Sequence, residues 1–205
     1  LGGRIPPEEL LPKLPPLLRD LEAIHRLGVL HRDITPDNIM WMPDGTLKLL
    51  DFGSARTMGG NKSMTVMLKL GFAPVEQYLT HGQGPYTDVY AMCATLYYLL
   101  TGVRPVDAVD RLEEDRLRSP IELGAALTPE ENAALLHGME IQPKRRTQTA
   151  ETLAAELFPA APVPMPAPAS APVQTSKVPA APPAAPSLFR RLSAWLKGLW
   201  KDGQP

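Results

Sequence analysis

From Pro7 to Leu27, apolar side chains recur at Leu10, Leu14, Leu17, Leu18, Leu21, Ile24 and Leu27. That spacing of three and four predicts an amphipathic helix. Pro7 suits a first helical turn, whereas Pro12, Pro15 and Pro16 predict a kink or a restart. Gly28 ends the run. Leu47-Lys48-Leu49-Leu50, after the turn Pro43-Asp44-Gly45, predicts a short strand. The segment 86–100 is apolar on almost every side and predicts a central, buried helix, closed by Gly102 and Pro105. Weaker helices are expected over 106–118, 129–139 and 150–157, the second with Thr128 as cap and Glu131 three residues on. The pattern is that of an α+β chain, mainly α-helical, without internal repeats.

After residue 158 the pattern changes. Ten prolines and nine alanines fall between Pro159 and Pro186, with Lys177 the single charge. Such a stretch cannot bury a core and is expected to be a disordered, partly polyproline linker over 159–187. Most of the proline excess, 24 of 205 residues, is spent there. The remainder, 1–158, has room for one domain and not two. Over 188–202 a short amphipathic helix is expected. At 100° per residue Leu188, Leu199, Leu192, Leu196, Phe189, Trp195 and Trp200 fall within about 140° of arc. Arg190, Lys197 and Lys201 face the other way. A basic helix with two tryptophans suits a membrane surface or a partner's groove, with docking on the folded body or on a domain outside this sequence as the plainer alternative.

Charge adds an exclusion. Lys and Arg total 21 against 22 Asp and Glu, a net charge of −1, so no basic field draws nucleic acid and no nucleic-acid partner is expected. Cys93 is the lone cysteine and lies in an apolar run, where an inert buried thiol is expected. Both facts fit a cytoplasmic protein, peripheral at the inner membrane surface if the tail binds there. The run 89–100 is too short to cross a bilayer. The chain opens on Leu1 inside an amphipathic pattern, so it is expected to be a piece of a longer sequence.

The chemistry concentrates in His31-Arg32-Asp33-Ile34-Thr35-Pro36-Asp37-Asn38 and, after the turn, Leu50-Asp51-Phe52-Gly53. One acid can orient a hydroxyl while Asn38 and Asp51 offer oxygens to a divalent cation that bridges phosphates. Singly, such residues are turn and cap formers. As a set, H-R-D, then Asn five residues after the Asp, then D-F-G thirteen residues later, is specific.

This set resembles the C-terminal lobe of the eukaryotic-like (Hanks-type) Ser/Thr protein kinases, in particular bacterial members with loops reading H-R-D-[IL]-[ST]-P-D-N. The likeness spans roughly Gly2 to Leu157. It implies that Asp33 is the catalytic base, Asn38 the second metal ligand and Asp51 the main ligand of Mg²⁺ or Mn²⁺. His31 and Gly53 belong to the same motifs, and Phe52 is the packing switch. Met40 and Leu50 would line one wall of an ATP site. Arg32 implies a loop controlled by phosphorylation, with Ser54, Thr57, Ser63 and Thr65 as candidate acceptors. The segment 71–78 resembles the A-P-E end of an activation loop, with its proline one place early. Its Glu76 would pair with Arg146 in Pro143-Lys144-Arg145-Arg146, where Gln142 replaces the family's Asp. Asp88 would accept hydrogen bonds from the catalytic-loop backbone; a surface acid at a helix start is the alternative.

One departure stands out. The family's lysine two residues after the base is Thr35 here, and the family's loop threonine is Lys69. The expectation is that Lys69 supplies the ammonium and bonds to Thr35; a lysine that faces solvent or a peptide substrate is the alternative. The resemblance also lacks half its parts: no G-x-G-x-x-G and no V-A-I-K-like lysine occur. By itself the chain is expected to bind ATP weakly and transfer little phosphate, and to expose an apolar face. ATP-dependent transfer to Ser/Thr of a protein substrate is expected of a longer parent. A pseudokinase-like scaffold and a small-molecule phosphotransferase are the other readings.

Overall fold

The computed structural model describes residues 4–51, 56–57, 69–79 and 81–159. The chain divides into units 1–163 and 164–205, and the second lies wholly outside the described residues, as do the linker from 160 and the helix expected over 188–202.

The first helix breaks where its prolines require. α1 (Pro7–Leu10) passes through a 3-10 turn (Leu11–Lys13) into α2 (Leu14–Arg26). Pro12 sits in that turn, and Pro15 and Pro16 open α2, where no N–H is needed. Leu10, Leu14, Leu17, Leu18 and Leu21 are buried, each contributing roughly 1.5–3 kcal/mol of apolar transfer. Leu27 departs from the expected face and is 79% exposed. It lies past the last turn, where Gly28 swings into the left-handed region at φ 74°.

β1 (Val29–Leu30) pairs antiparallel with β4 (Arg56–Thr57). Between them β2 (Ile39–Trp41) and β3 (Leu47–Leu49) form a hairpin in the register Ile39–Leu49, Met40–Lys48 and Trp41–Leu47. At its turn Asp44 Oδ1 accepts from Thr46 N at 2.9 Å and Thr46 Oγ1 at 2.7 Å. The expected strand over 47–50 thus ends one residue early as ladder, and the remaining N–H, that of Leu50, reaches Asn38 O at 2.8 Å.

α3 (Val75–Tyr78) precedes the central helix α4 (Pro85–Thr101), of which only Tyr98 is less than buried from Thr87 onward. α4 ends at Gly102, left-handed at φ 73°. The helix expected over 106–118 shrinks to α5 (Asp110–Glu113). Carboxylates take the N–H groups that a longer helix would need: Asp107 Oδ1 accepts from Val109 N at 3.0 Å and Asp115 Oδ1 from Leu117 N at 3.1 Å. α6 (Pro129–Gly138) carries the expected capping box, with Glu131 N donating to Thr128 Oγ1 at 3.2 Å and Thr128 N to Glu131 Oε2 at 2.8 Å. α7 (Ala150–Leu157) closes the core against α2 and α6. A Cβ on Gly138 would collide with Cys93 Sγ, so glycine sets the approach of α6 to α4. The lobe is mainly helical, with short antiparallel pairs at the edge that carries the loop 31–38. No helix among the described residues is long and apolar enough to cross a membrane.

Candidate active site

The loop between β1 and β2 rests on one carboxylate. Asp88, fully buried near the start of α4, accepts from His31 N at 2.8 Å through Oδ2 and from Arg32 N at 2.8 Å through Oδ1. His25 Nε2 bonds to the same Oδ2 at 2.8 Å, and His25 Nδ1 is buried with no hydrogen-bond partner among the described residues. A buried carboxylate demands this many donors. Thr95 Oγ1, two turns further along α4, donates to Ile34 O at 3.2 Å.

Those bonds hold a strained residue. Arg32 has φ 66°, a left-handed conformation that costs a side-chain-bearing residue roughly 1–3 kcal/mol. Its N–H goes to Asp88 and its carbonyl accepts from Gln77 Nε2 at 2.8 Å, so both flanking peptides are pinned. Next to it His31 is buried; Nε2 donates to Leu50 O at 3.1 Å, and Nδ1 then accepts from Asp33 N at 3.4 Å.

Asp33 emerges from this frame. Asn38 Nδ2 donates to Asp33 O at 2.7 Å and to Asp33 Oδ2 at 2.9 Å. Both amide hydrogens are spent on the acid, so Asn38 Oδ1 remains an acceptor, the assignment following from the network. The Leu50–Asn38 bond extends the hairpin and brings Asp51 to the end where Asn38 lies. Asp51 is exposed and left-handed at φ 56°. No group of three or more His, Cys, Asp or Glu among the described residues is placed to hold a metal. A hard cation here would find two protein donors, Asn38 Oδ1 and the Asp51 carboxylate, and complete its sphere with phosphate and water, which suits Mg²⁺. Met40 is 45% exposed and Leu50 half-buried, apolar surface beside that end of the hairpin.

Lys69 approaches from the other side. Its Nζ donates to Thr35 Oγ1 at 3.1 Å, reaches Asp37 Oδ2 at 3.4 Å and lies 4.0 Å from Asp33 Oδ1. Thr35 is buried and Asp37 exposed. The turn that carries Lys69 is tight: Phe72 N and Ala73 N donate to Lys69 O at 3.0 and 3.2 Å. Gly71 is left-handed at φ 84°, and a Cβ there would sit 2.7 Å from Pro105 O. Gly71 N donates to Asp107 Oδ2 at 3.1 Å, and Tyr78 OH donates to that oxygen at 2.6 Å. Burial, with Asp107 alongside, pushes the Tyr78 phenol well up, so it stays a donor.

Glu76 and Arg146, seventy positions apart, meet beneath this turn. Arg146 Nη1 donates to Glu76 Oε1 at 2.6 Å and Nη2 to Oε2 at 3.4 Å, and both residues are buried. The same guanidinium donates to the carbonyls of Glu140, Tyr86 and Ile141 and lies 4.9 Å from the centre of the Tyr90 ring. Thr87 Oγ1 adds a bond to Glu76 Oε1 at 3.0 Å.

The structure therefore brings together Asp33, Thr35, Asn38 and Lys69, and separately Glu76 and Arg146, and Asp88 with the loop backbone. Phe52, Gly53, Ser54, Ser63 and Thr65 lie outside the described residues. Thr57 is placed by its backbone alone, opposite Val29. Sequence reasoning missed His25, Gln77, Thr95 and Asp107. Only His25 left a trace, a polar residue four positions after Leu21 on an otherwise apolar stripe.

The family model of the protein kinase domain matches residues 5–158. A probable serine/threonine-protein kinase of Streptomyces coelicolor is 31% identical over 168 residues, 76% of this chain and 25% of that protein. Serine/threonine-protein kinase F of a Synechocystis species is 41% identical over 99 residues, 46% of this chain and 20% of the relative. The solved structure of PpkA-294 in its apo form is 34% identical and superposes with a TM-score of 0.65, covering 75% of this chain and 55% of that one. The chain spans about a quarter of the length of these curated relatives.

Proposed function

Because the chain belongs to the protein kinase domain family, among bacterial serine/threonine-protein kinases, we propose that it carries the phosphoryl-transfer site of such an enzyme. The reaction is transfer of the terminal phosphate of ATP to a serine or threonine hydroxyl of a protein. The Asn38 amide supports this reading best: it clamps Asp33 at backbone and side chain while its own oxygen stays available.

In this reading Asp33 orients the incoming hydroxyl and takes its proton as the oxygen bonds to phosphorus. Asn38 and Asp51 would hold Mg²⁺ or Mn²⁺, and Met40 and Leu50 would line the adenine side of the ATP site. Divalent metal, when bound, neutralises charge on the phosphate oxygens. Asp88, His25 and Gln77 hold Arg32 in its strained conformation and so aim Asp33. Phosphorylation at Ser54, Thr57, Ser63 or Thr65, answered by Arg32, would regulate the site. For the tail we propose a peripheral place at the inner face of the cytoplasmic membrane, on the strength of the amphipathic pattern over 188–202. Co-sedimentation of the whole chain with anionic liposomes tests it, and no sedimentation with lipid sinks it.

The test of phosphoryl transfer uses γ-labelled ATP and a mixed protein substrate. Both the 205-residue chain and the product of the whole reading frame that encodes it are assayed. The chain by itself is expected to transfer slowly, since the glycine loop and strand lysine are not among its residues. Asp33→Asn should lower transfer by roughly 10²–10⁴. Equal transfer by wild type and Asp33→Asn refutes the assignment.

A further inference from the structure

We propose that Lys69 supplies the cation that meets the transferring phosphate, delivered to Asp33 from the turn 69–73 and not from the loop that carries the base. The inference rests on the phosphoryl-transfer reading and adds a residue to it. The ammonium lies 4.0 Å from Asp33 Oδ1, so a phosphate within reach of the acid is within reach of Nζ.

Two of its contacts differ in kind. Thr35 Oγ1, 2% exposed, is a fixed acceptor at 3.1 Å. Asp37 Oδ2, at 3.4 Å, belongs to a side chain that is 79% exposed. An ion pair with an exposed carboxylate contributes little and is readily exchanged. A phosphate oxygen with more charge than one carboxylate can displace Asp37 while Thr35 keeps Nζ in place. A cation already held in position then meets the developing charge without reorganising at the moment of reaction.

The rest of the turn explains why the ammonium holds its place. Lys69 O accepts from Phe72 N and Ala73 N, and Gly71 N is tied to Asp107, itself held by Tyr78 OH. Only glycine fits at 71, because a side chain would strike Pro105 O and Arg104 Cγ. In the transfer the hydroxyl oxygen bonds to phosphorus, the bond from phosphorus to the ADP oxygen breaks, and the hydroxyl proton goes to Asp33. Lys69 keeps its protons and acts through charge and hydrogen bonds.

Amine acylation read by mass spectrometry tests this without relying on turnover. The product of the whole reading frame that encodes this chain is treated with an acylating reagent, with and without saturating Mg·ATP, while calorimetry records binding separately. Lys48, paired with Asp20 on the hairpin, is the internal control. The expected result is that Mg·ATP slows acylation of Lys69 at least fivefold and leaves Lys48 unchanged, fivefold being about 1 kcal/mol of differential shielding. If Mg·ATP binds and Lys69 reacts as before, this inference falls and the phosphoryl-transfer reading stands. If no Mg·ATP binds, the reading falls and takes the inference with it. In the transfer assay Lys69→Met should lose at least tenfold, or about 1.4 kcal/mol. The exchange Thr35→Lys with Lys69→Thr should recover most of that loss, since it returns an ammonium to the same space. Full activity in Lys69→Met, or an exchange variant no faster than Lys69→Thr, overturns the assignment.

Discussion

Replacing Arg146 by Met removes a guanidinium that serves five acceptors at once. Glu76 keeps only Thr87 Oγ1, at 3.0 Å, as a donor to its buried carboxylate. The carbonyls of Glu140, Tyr86 and Ile141 lose the bonds that Arg146 donates at 2.8, 3.0 and 3.2 Å. Breaking a buried pair by removing one member costs roughly 3–5 kcal/mol, and each stranded carbonyl works toward the upper end of that range. About 5 kcal/mol is comparable to the whole stability of many domains. Glu76→Gln is a gentler change. Its amide oxygen still accepts from Thr87 and Arg146, and Arg146 keeps three carbonyls and the Tyr90 ring, but the buried guanidinium loses its counter-charge, so the low end of that range, about 3 kcal/mol, is expected. Urea unfolding followed by circular dichroism gives both numbers, and the double variant gives the coupling, expected to exceed about 1 kcal/mol. The reasoning fails if Arg146→Met costs less than Glu76→Gln.

Asp88→Ala strands two buried N–H groups and the His25 donor, so it should cost about 3 kcal/mol or more and abolish transfer, as thermal melts and the labelled-ATP assay would show. Gly138→Ala should destabilise by roughly 1–3 kcal/mol through the clash with Cys93, and Cys93→Ala in the same chain should recover part of it in urea titrations. Burial pushes the Cys93 thiol well up, so it should resist alkylation in the native chain and react once urea unfolds it. The Arg111 hydrogen bonds hold the Asp115 carboxyl below its ordinary value, so the stability it contributes is present above about pH 4 and is lost as pH falls through the lowered folded value. The difference in melting temperature between wild type and Asp115→Asn should therefore shrink below about pH 4.

Elements with a long period or a specific cap were legible in the sequence. The 86–100 run has no polar face, and Thr128 with Glu131 announces its helix in four residues. The chemistry was legible because Asp33, Asn38 and Asp51 keep a fixed spacing. The family resemblance that this spacing carries also implied two long-range contacts that the structure contains, Lys69 with Thr35 and Glu76 with Arg146. β1, β2 and β4 escaped because two or three residues carry no measurable period. The helix expected over 106–118 failed for a different reason. Asp107 and Asp115 satisfy backbone N–H groups locally, a choice that apolar spacing does not record. Gln77 was hidden because its partner is the carbonyl of Arg32, whose left-handed conformation appears only when Asp88 and the loop come together.

The central claim is that Asp33, Asn38 and Asp51 form a site for phosphoryl transfer from Mg·ATP to protein hydroxyls. The most direct measurement is label on serine and threonine after incubation of the whole reading-frame product with γ-labelled ATP. Wild type is run beside Asp51→Asn, with and without a chelator. The account predicts metal-dependent label on those residues, reduced at least about a hundredfold in Asp51→Asn, a difference near 2.7 kcal/mol. No label from the wild type, or the same label from Asp51→Asn, would contradict it.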